Sequence, residues 1–186
     1  LYDGKKGIKV IPCYYKKDYP EWSDRGDGPG APVAVHLPNS PVIATGKRDG
    51  SKIRLPNGNY LEETASYYVM IETKTGGYTP ALITMKSTQL NVSKKWNSMM
   101  KTIQIPDGKG GFAIPPMHGV VYNLASTLQK NDKGSWYGWV VTQDRIMGQD
   151  DKTLYLSAKD FAGNVSKGSV QTKADVEETS SDSTPY

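Results

Sequence analysis

Aromatic side chains stand beside basic ones at four places in the chain, and this pairing is its most informative chemical pattern. The chain has 12 Tyr and 4 Trp but only 2 Phe, so most of its rings are amphipathic and tolerate partial exposure. Lysine and arginine neutralise phosphates, and exposed rings stack on bases without reading sequence, as single-stranded nucleic acid requires. The candidate DNA-binding residues are Tyr14, Tyr15, Lys16, Lys17, Trp22, Arg25, Lys94, Lys95, Lys133, Trp136, Tyr137 and Trp139.

Residue sets that support catalysis or metal binding are missing from the sequence. Cys13 is the one cysteine, and His36 and His118 are the two histidines. There is no Gly-x-x-x-x-Gly-Lys-Ser/Thr loop for phosphate and no Gly-x-Ser-x-Gly nucleophile turn. The adjacent acidic pairs Asp150–Asp151 and Glu62–Glu63 are better explained as a helix cap and a surface pair. We therefore expect no enzyme activity, no cofactor and no metal ion.

Charge is distributed unevenly along the chain, which carries 23 Lys and Arg residues against 19 Asp and Glu. Residues 171–186 hold one lysine and four acidic residues, so they carry −3 and residues 1–170 carry +7. A basic body suits a polyanionic partner, but a merely solvated acidic end explains the same charges, and charge alone favours that explanation. No apolar run approaches the roughly 20 residues that span a bilayer, so no membrane partner is expected.

The elements that must position the aromatic and basic residues are mostly strands. Lys5–Lys17 is rich in β-branched and aromatic residues, which favours a strand that Pro12 interrupts or confines to an edge. Apolar runs separated by glycine-containing turns predict hairpins over 67–85 and 120–142. Residues 18–60 are rich in Gly and Pro, which indicates loops with short strands at 32–36 and 52–55.

Apolar side chains at helical spacing predict two helices, over Ser87–Ile103 and Asp151–Lys167. Trp96 lies on the apolar stripe of the first helix, so it is expected in the core rather than at a binding surface. After Gly168 the chain is polar and poor in hydrophobic residues, which predicts a disordered tail.

Alternation along the second hairpin decides which of its rings can be exposed. Its first strand places four apolar side chains on one face, which is expected to point to the core: Val120, Tyr122, Leu124 and Leu128. Its second strand places Trp136 and Val140 on one face, and Tyr137, Trp139 and Val141 on the other. One of these two sets is expected to be core, and the sequence does not show which.

Short strands, glycine turns and two helices predict a mainly β (α+β) fold, an OB-like antiparallel β-barrel with two added helices. Such barrels bind oligonucleotides on one face and through the flanking loops. We expect a single nucleic-acid-binding domain over residues 1–170 and a flexible acidic tail over 171–186.

Three stretches of the chain carry a family resemblance that spans most of residues 8–165. They are Val10–Tyr15 with Tyr19–Trp22, Met85–Leu90 continuing through Ser93–Ser98, and Asn131–Trp139. Together they resemble small proteins of the replication modules of tailed bacteriophages that are described as single-stranded DNA-binding. The resemblance implies a function class and an OB-like fold, and no site residues.

The end of the chain carries a second resemblance. Many replicative single-stranded DNA-binding proteins end in an acidic tail with a terminal aromatic residue after proline, which recruits partners. The corresponding residues here are Asp182, Pro185 and Tyr186, although the tail is only weakly acidic and ends in Tyr rather than Phe.

The leading hypothesis is sequence-independent binding of single-stranded DNA during phage replication or recombination, in the cytoplasm of the bacterial host. Phage replisome proteins are the expected partners of the tail, and homo-oligomerisation is left open. The alternative is a phage structural or assembly protein whose aromatic surface contacts other proteins. A small enzyme on a β-scaffold is the third hypothesis.

Overall fold

The computed structural model describes residues 3–24, 30–132 and 134–170. Its strands are β1 (Ile8–Trp22), β2 (Ala34–His36), β3 (Lys47–Asp49), β4 (Lys52–Arg54), β5 (Tyr60–Glu62), β6 (Thr64–Glu72), β7 (Tyr78–Lys86), β8 (Ile105–Pro106), β9 (Phe112–Ala113), β10 (Val120–Asn131) and β11 (Gly134–Ile146). Its α-helices are α1 (Pro41–Thr45), α2 (Leu90–Thr102) and α3 (Lys152–Ser166). Both predicted hairpins and both predicted helices are confirmed.

The larger sheet is antiparallel and has the strand order β11–β10–β1–β6–β7. It curls into a half-barrel, and its edge strands β7 and β11 do not pair with each other within the described residues. Helix α2 contacts β6, β7 and β11, so it covers the open side of the half-barrel. The predicted mainly β, OB-like architecture with two added helices is thereby confirmed. The barrel is not closed by pairing between β7 and β11 within the described residues; α2 lies between these two edge strands instead.

Strand β1 is long enough to serve two sheets. It pairs with β10 only over Ile8–Val10, and its pairing with β6 shifts register between Pro12 and Tyr14. Pro12 has no backbone N–H to donate, and it lies where the pairing with β10 has already ended. The predicted interruption at Pro12 is therefore a β-bulge, beyond which the strand continues.

The far end of β1 belongs to a smaller sheet. Residues Tyr19–Glu21 pair with β2 on one edge, and Glu21 and Trp22 pair with β5 on the other, which continues through β4 to β3. The side of this sheet that carries Leu61 packs against α1. The sequence predicted β2 and β4 here, but strands of three residues are too short for alternation to reveal the rest.

The main core lies between the larger sheet and α2. Trp96 is fully buried and stacks on Tyr67 with ring centroids 4.4 Å apart, while Tyr122 meets its edge at 5.6 Å. The Tyr67 hydroxyl donates to the Ser93 carbonyl oxygen at 3.0 Å, which anchors α2 to β6. The predicted core position of Trp96 is confirmed.

Helix α3 packs on the opposite face of the larger sheet. Alternation along β1 sends Val10 to the α2 side and Ile11 to the α3 side, where it meets Val121 and Ala158. Asp151 lies at the N-cap of α3 but its side chain does not cap that helix; Asp151 Oδ2 instead accepts the Gly148 N–H at 2.9 Å, at the start of the 3₁₀ turn Gln149–Asp151 that precedes α3. In the parts of the chain that the structure describes, no helix is both long and apolar enough to cross a membrane.

Candidate nucleic-acid interface

The β10–β11 hairpin extends beyond the part of the sheet that α2 covers. Val120, Tyr122 and Leu124 are buried as predicted, but Leu128 is 60% exposed, so its predicted core position is wrong. The reason is that the core on the α2 side ends at the pair Leu124 and Val141. Beyond that pair the hairpin presents apolar side chains to solvent.

Two rings lie on this uncovered part of the hairpin. Leu128 pairs with Tyr137 and Ser126 pairs with Trp139, so these side chains share one face of the hairpin. Tyr137 is 68% exposed and Trp139 is 37% exposed. On the other face Trp136 is half-buried. The expectation that one of the two sets would be core is therefore wrong, because each set combines half-buried and exposed side chains: Trp136 with Val140, and Val141 with Tyr137.

Tyr137 and Trp139 line a groove of about 440 Å³ between the hairpin and the N-terminal loop at residues 3–7. The Gly4 carbonyl oxygen accepts the Ser126 N–H at 2.7 Å and thereby fixes the loop along β10. Tyr137 also lines a second hollow of about 540 Å³, together with Lys5 and Leu128. We call these two hollows, joined at Tyr137, the hairpin groove.

Unpaired cations lie close to the hairpin groove. Lys5 lines it, and Lys6 and Lys130 are exposed on the adjoining loop and on β10. None of the three forms an ion pair within residues 3–24, 30–132 and 134–170. Asp3 also lines the groove, and its Oδ1 accepts the Lys5 backbone N–H at 3.0 Å. Two exposed rings and one cation, Lys5, thus line one concave surface, and Lys6 and Lys130 lie outside its lining.

The predicted cluster at residues 14–17 is divided between the two faces of the sheet, because consecutive strand residues point in opposite directions. Tyr14 meets the edge of Tyr68 at 6.0 Å, whereas Tyr15 packs on Tyr67 at 4.9 Å. These four residues therefore do not form one binding surface.

Both lysines of the cluster at residues 14–17 form ion pairs with neighbouring carboxylates. Lys16 Nζ lies 3.4 Å from Asp18 Oδ2, and Lys17 Nζ lies 2.9 Å from Glu63 Oε1. The bond to Glu63 raises the pKa of Lys17. Both cations are thus already partly neutralised by neighbouring acids.

Helix α2 exposes Lys94 and Lys95, and neither lines the hairpin groove. Trp96, the ring that follows these lysines in the sequence, is buried in the core and cannot act with them at the surface. They form a separate basic surface on the outer side of α2. Arg25, Lys133, Asp182, Pro185 and Tyr186 lie outside the described residues.

Trp22 lies at the end of β1, in a surface that the sequence did not reveal. Its neighbours across the smaller sheet are Tyr60, Arg54 and Lys47, which belong to three further strands. Their proximity follows from strand register, and no local sequence signal could have found it.

No group of three or more His, Cys, Asp and Glu side chains suited to a metal ion occurs in the described ranges. The chain matches a family model over residues 1–171 and belongs to the Pam3 phage gp34-like protein family. It is therefore a phage protein. Comparison with curated proteins and with solved structures gives no match.

Proposed function

We propose that this phage protein binds single-stranded DNA without reading its sequence, as a non-catalytic protein of replication or recombination in the bacterial host's cytoplasm. The observation that carries the proposal is the exposure of Tyr137 and Trp139 together on one wall of the hairpin groove, with Lys5 beside them. Bases stack on the rings and phosphates pair with the ammonium groups, so every sequence is accepted.

The basic body supports the same proposal. Residues 1–170 carry +7, so counterion release favours any single strand that crosses the surface. Residues 171–186 carry −3 and, in this proposal, recruit phage replisome proteins through Pro185 and Tyr186.

The second candidate function is that of a phage structural or assembly protein. It is favoured by the apolar side chains exposed at the same end of the hairpin, Leu128 and Val140, which protein partners cover more effectively than DNA does. An assembly protein of this kind is expected to self-associate through the hairpin without DNA.

The experiment that separates the two compares Tyr137→Ala and Trp139→Ala with Phe112→Ala. Phe112 on β9 is 70% exposed and lies outside the hairpin groove, so it is a matched control for Tyr137. Binding of fluorescently labelled oligo(dT) is measured by anisotropy, and oligomeric state is measured by sedimentation. Loss of one stacking ring costs about 1–3 kcal/mol, which is roughly a five- to 150-fold weaker affinity.

Selective weakening by the two groove variants, with Phe112→Ala unchanged, supports DNA binding. Equal affinities for all three variants, or no binding by the wild type, contradict it. Self-association without DNA that Tyr137→Ala abolishes, in a protein that does not bind oligo(dT), establishes the assembly role instead.

A further inference from the structure

One face of the smaller sheet carries a row of cationic and aromatic side chains. Lys47 pairs with Arg54, Arg54 with Tyr60, and Tyr60 with Trp22, and directly paired residues of antiparallel strands project from the same face. Lys52 belongs to this face too, since it pairs with Glu62, two residues from Tyr60. We call this surface the small-sheet face.

The opposite face of the same strands is core. Ile53 and Leu61, which alternate with the residues of the row, pack with Tyr19 and Leu55 against α1. The apolar requirement of these strands is therefore met on that side. The row of cations and rings contributes nothing to this core and lies on the face that antiparallel sheets commonly turn to solvent.

The cations of the small-sheet face lie over its rings. Lys52 Nζ is 3.5 Å from the Tyr60 ring centroid, and the Arg54 guanidinium carbon is 5.4 Å from the same centroid. Lys86 Nζ, at the end of β7, lies 5.7 Å from the Trp22 ring. The Lys52 ammonium covers one face of the Tyr60 ring, so a base stacks on that face only when Lys52 moves from the ring to a phosphate.

The acids of this face hold two of its cations and leave Lys47 and Lys52 without an ion pair within the described residues. Glu62, which pairs with Lys52 across the strands, binds Lys86 Nζ at 3.0 Å.

Arg54 contacts Asp24 at 3.2 Å and Asp49 at 3.6 Å, but the two carboxylate side chains are 58% and 68% exposed. Ion pairs between side chains as exposed as these contribute little to stability, so a phosphate can displace the two carboxylates from Arg54.

We propose that the small-sheet face is a second contact surface for single-stranded nucleic acid, with phosphates on Lys47, Lys52 and Arg54 and a base on Tyr60. This inference rests on the proposed function. The hairpin groove and the small-sheet face lie at the two ends of β1, since Ile8 lines the groove and Trp22 ends the row. Fourteen residue steps of about 3.3 Å place them at most about 46 Å apart.

Two surfaces joined by one strand make long oligonucleotides bind more tightly than short ones. Once one surface holds the strand, the other meets it at high effective concentration. The second surface therefore matters most for an oligonucleotide long enough to span both, such as (dT)40.

The test uses Lys47→Gln/Lys52→Gln in the full chain, with Lys109→Gln/Lys152→Gln as a control of equal charge. All four lysines lie outside the hairpin groove, and each is exposed or half-exposed, so neither double variant removes core packing. Affinity for (dT)40 is measured by anisotropy between 50 and 200 mM salt. Separately, lysine acetylation of the wild type with and without (dT)40 is mapped by mass spectrometry.

Losing two phosphate contacts should lower the steepness of the log–log salt dependence by about 1.4. The ratio of the wild-type affinity for (dT)40 to that of Lys47→Gln/Lys52→Gln then falls about sevenfold between 50 and 200 mM salt. The control variant keeps the wild-type slope of log affinity against log salt. In the wild type, (dT)40 should protect Lys47 and Lys52 from acetylation and leave Lys109 reactive.

Outcomes for this face and for the proposed function can be told apart. The small-sheet face is not a DNA surface if Lys47→Gln/Lys52→Gln shows the same salt dependence of affinity as its control and if Lys47 and Lys52 stay reactive in the presence of (dT)40. The proposed function still stands in that case, provided that the wild type binds (dT)40 and Tyr137→Ala weakens the binding. If the wild type does not bind (dT)40, both are wrong.

Discussion

The backbone N–H of Trp139 donates a hydrogen bond to the side-chain oxygen of Gln89 at 3.0 Å. This bond joins the unpaired edge of β11 to the 3₁₀ turn at Ser87–Gln89 that leads into α2. Gly138 makes room for it, because a Cβ there would lie 2.7 Å from the Gln89 amide nitrogen. The helix that covers the half-barrel thereby also fixes the strand that carries the groove rings.

Replacing Gln89 by Ala should loosen this edge of the sheet. The Trp139 N–H then loses its protein partner, and we expect a cost of about 0.5–1.5 kcal/mol in the free energy of unfolding. Amide hydrogen exchange at Trp139 should accelerate more than at strand positions bonded to β10. Thr88→Ala, at the exposed neighbouring position, is the control, and an equal effect of both variants would show that the bond contributes nothing.

Trp96 should contribute far more to stability than an exposed ring does. It is fully buried against Tyr67 and Tyr122, so Trp96→Ala leaves a large cavity and costs about 3–5 kcal/mol of unfolding free energy. Urea denaturation measures the loss, with Phe112→Ala as an exposed aromatic control. A loss below about 1 kcal/mol for Trp96→Ala would contradict the packing of α2 described above.

The elements that the sequence predicted are those with long periodic patterns. Apolar spacing over a dozen or more residues identified both hairpins and both helices, and it placed Trp96 in the core. In the smaller sheet the sequence predicted β2 and β4 but not β3 or β5, because strands of three residues are too short for alternation to show. The row from Lys47 to Trp22 exists only through the register of these strands.

The candidate site was predicted by residue type but not by arrangement. Tyr137 and Trp139 were identified from their proximity to basic residues, and the structure places both on one groove. Their exposure depends on where the cover of α2 ends, which alternation along a strand does not encode. For the same reason Leu128 was wrongly predicted as core.

Acid should destabilise the smaller sheet through Glu21. Its carboxylate accepts Asn59 Nδ2 at 2.6 Å and Asn57 Nδ2 at 3.1 Å, and it contacts His36 Nε2 at 2.7 Å. These bonds, that of Asn59 above all, hold the pKa of Glu21 below its usual value. A lowered folded-state pKa gives stability that is present above the unfolded pKa of about 4.3 and is lost as pH falls through the folded value.

Glu21→Gln cannot ionise, so it should be less stable than the wild type at neutral pH. The difference between the two unfolding free energies should narrow as pH falls below about 4.3, because the wild type loses its advantage there. Urea denaturation between pH 7 and pH 3 measures this. Asp160→Asn, on the exposed side of α3, is the control and should show the wild-type dependence of unfolding free energy on pH. If the difference in unfolding free energy between Glu21→Gln and the wild type stays constant with pH, the Glu21 carboxylate does not stabilise the smaller sheet in this way.

Deleting residues 171–186 should tighten binding to single-stranded DNA at low salt. The segment carries −3 and is attached to a body of +7, so we expect it to compete with DNA at high effective concentration. Because salt screens this competition, the gain in affinity should shrink as salt rises.

A variant that keeps the segment but converts Asp175, Glu177, Glu178 and Asp182 to their amides should reproduce the gain in affinity while retaining Pro185 and Tyr186. The affinity of both variants for oligo(dT) is measured between 50 and 300 mM salt. If the truncated chain binds DNA more weakly than the wild type, residues 171–186 contribute to the fold or to the DNA site instead of competing with DNA.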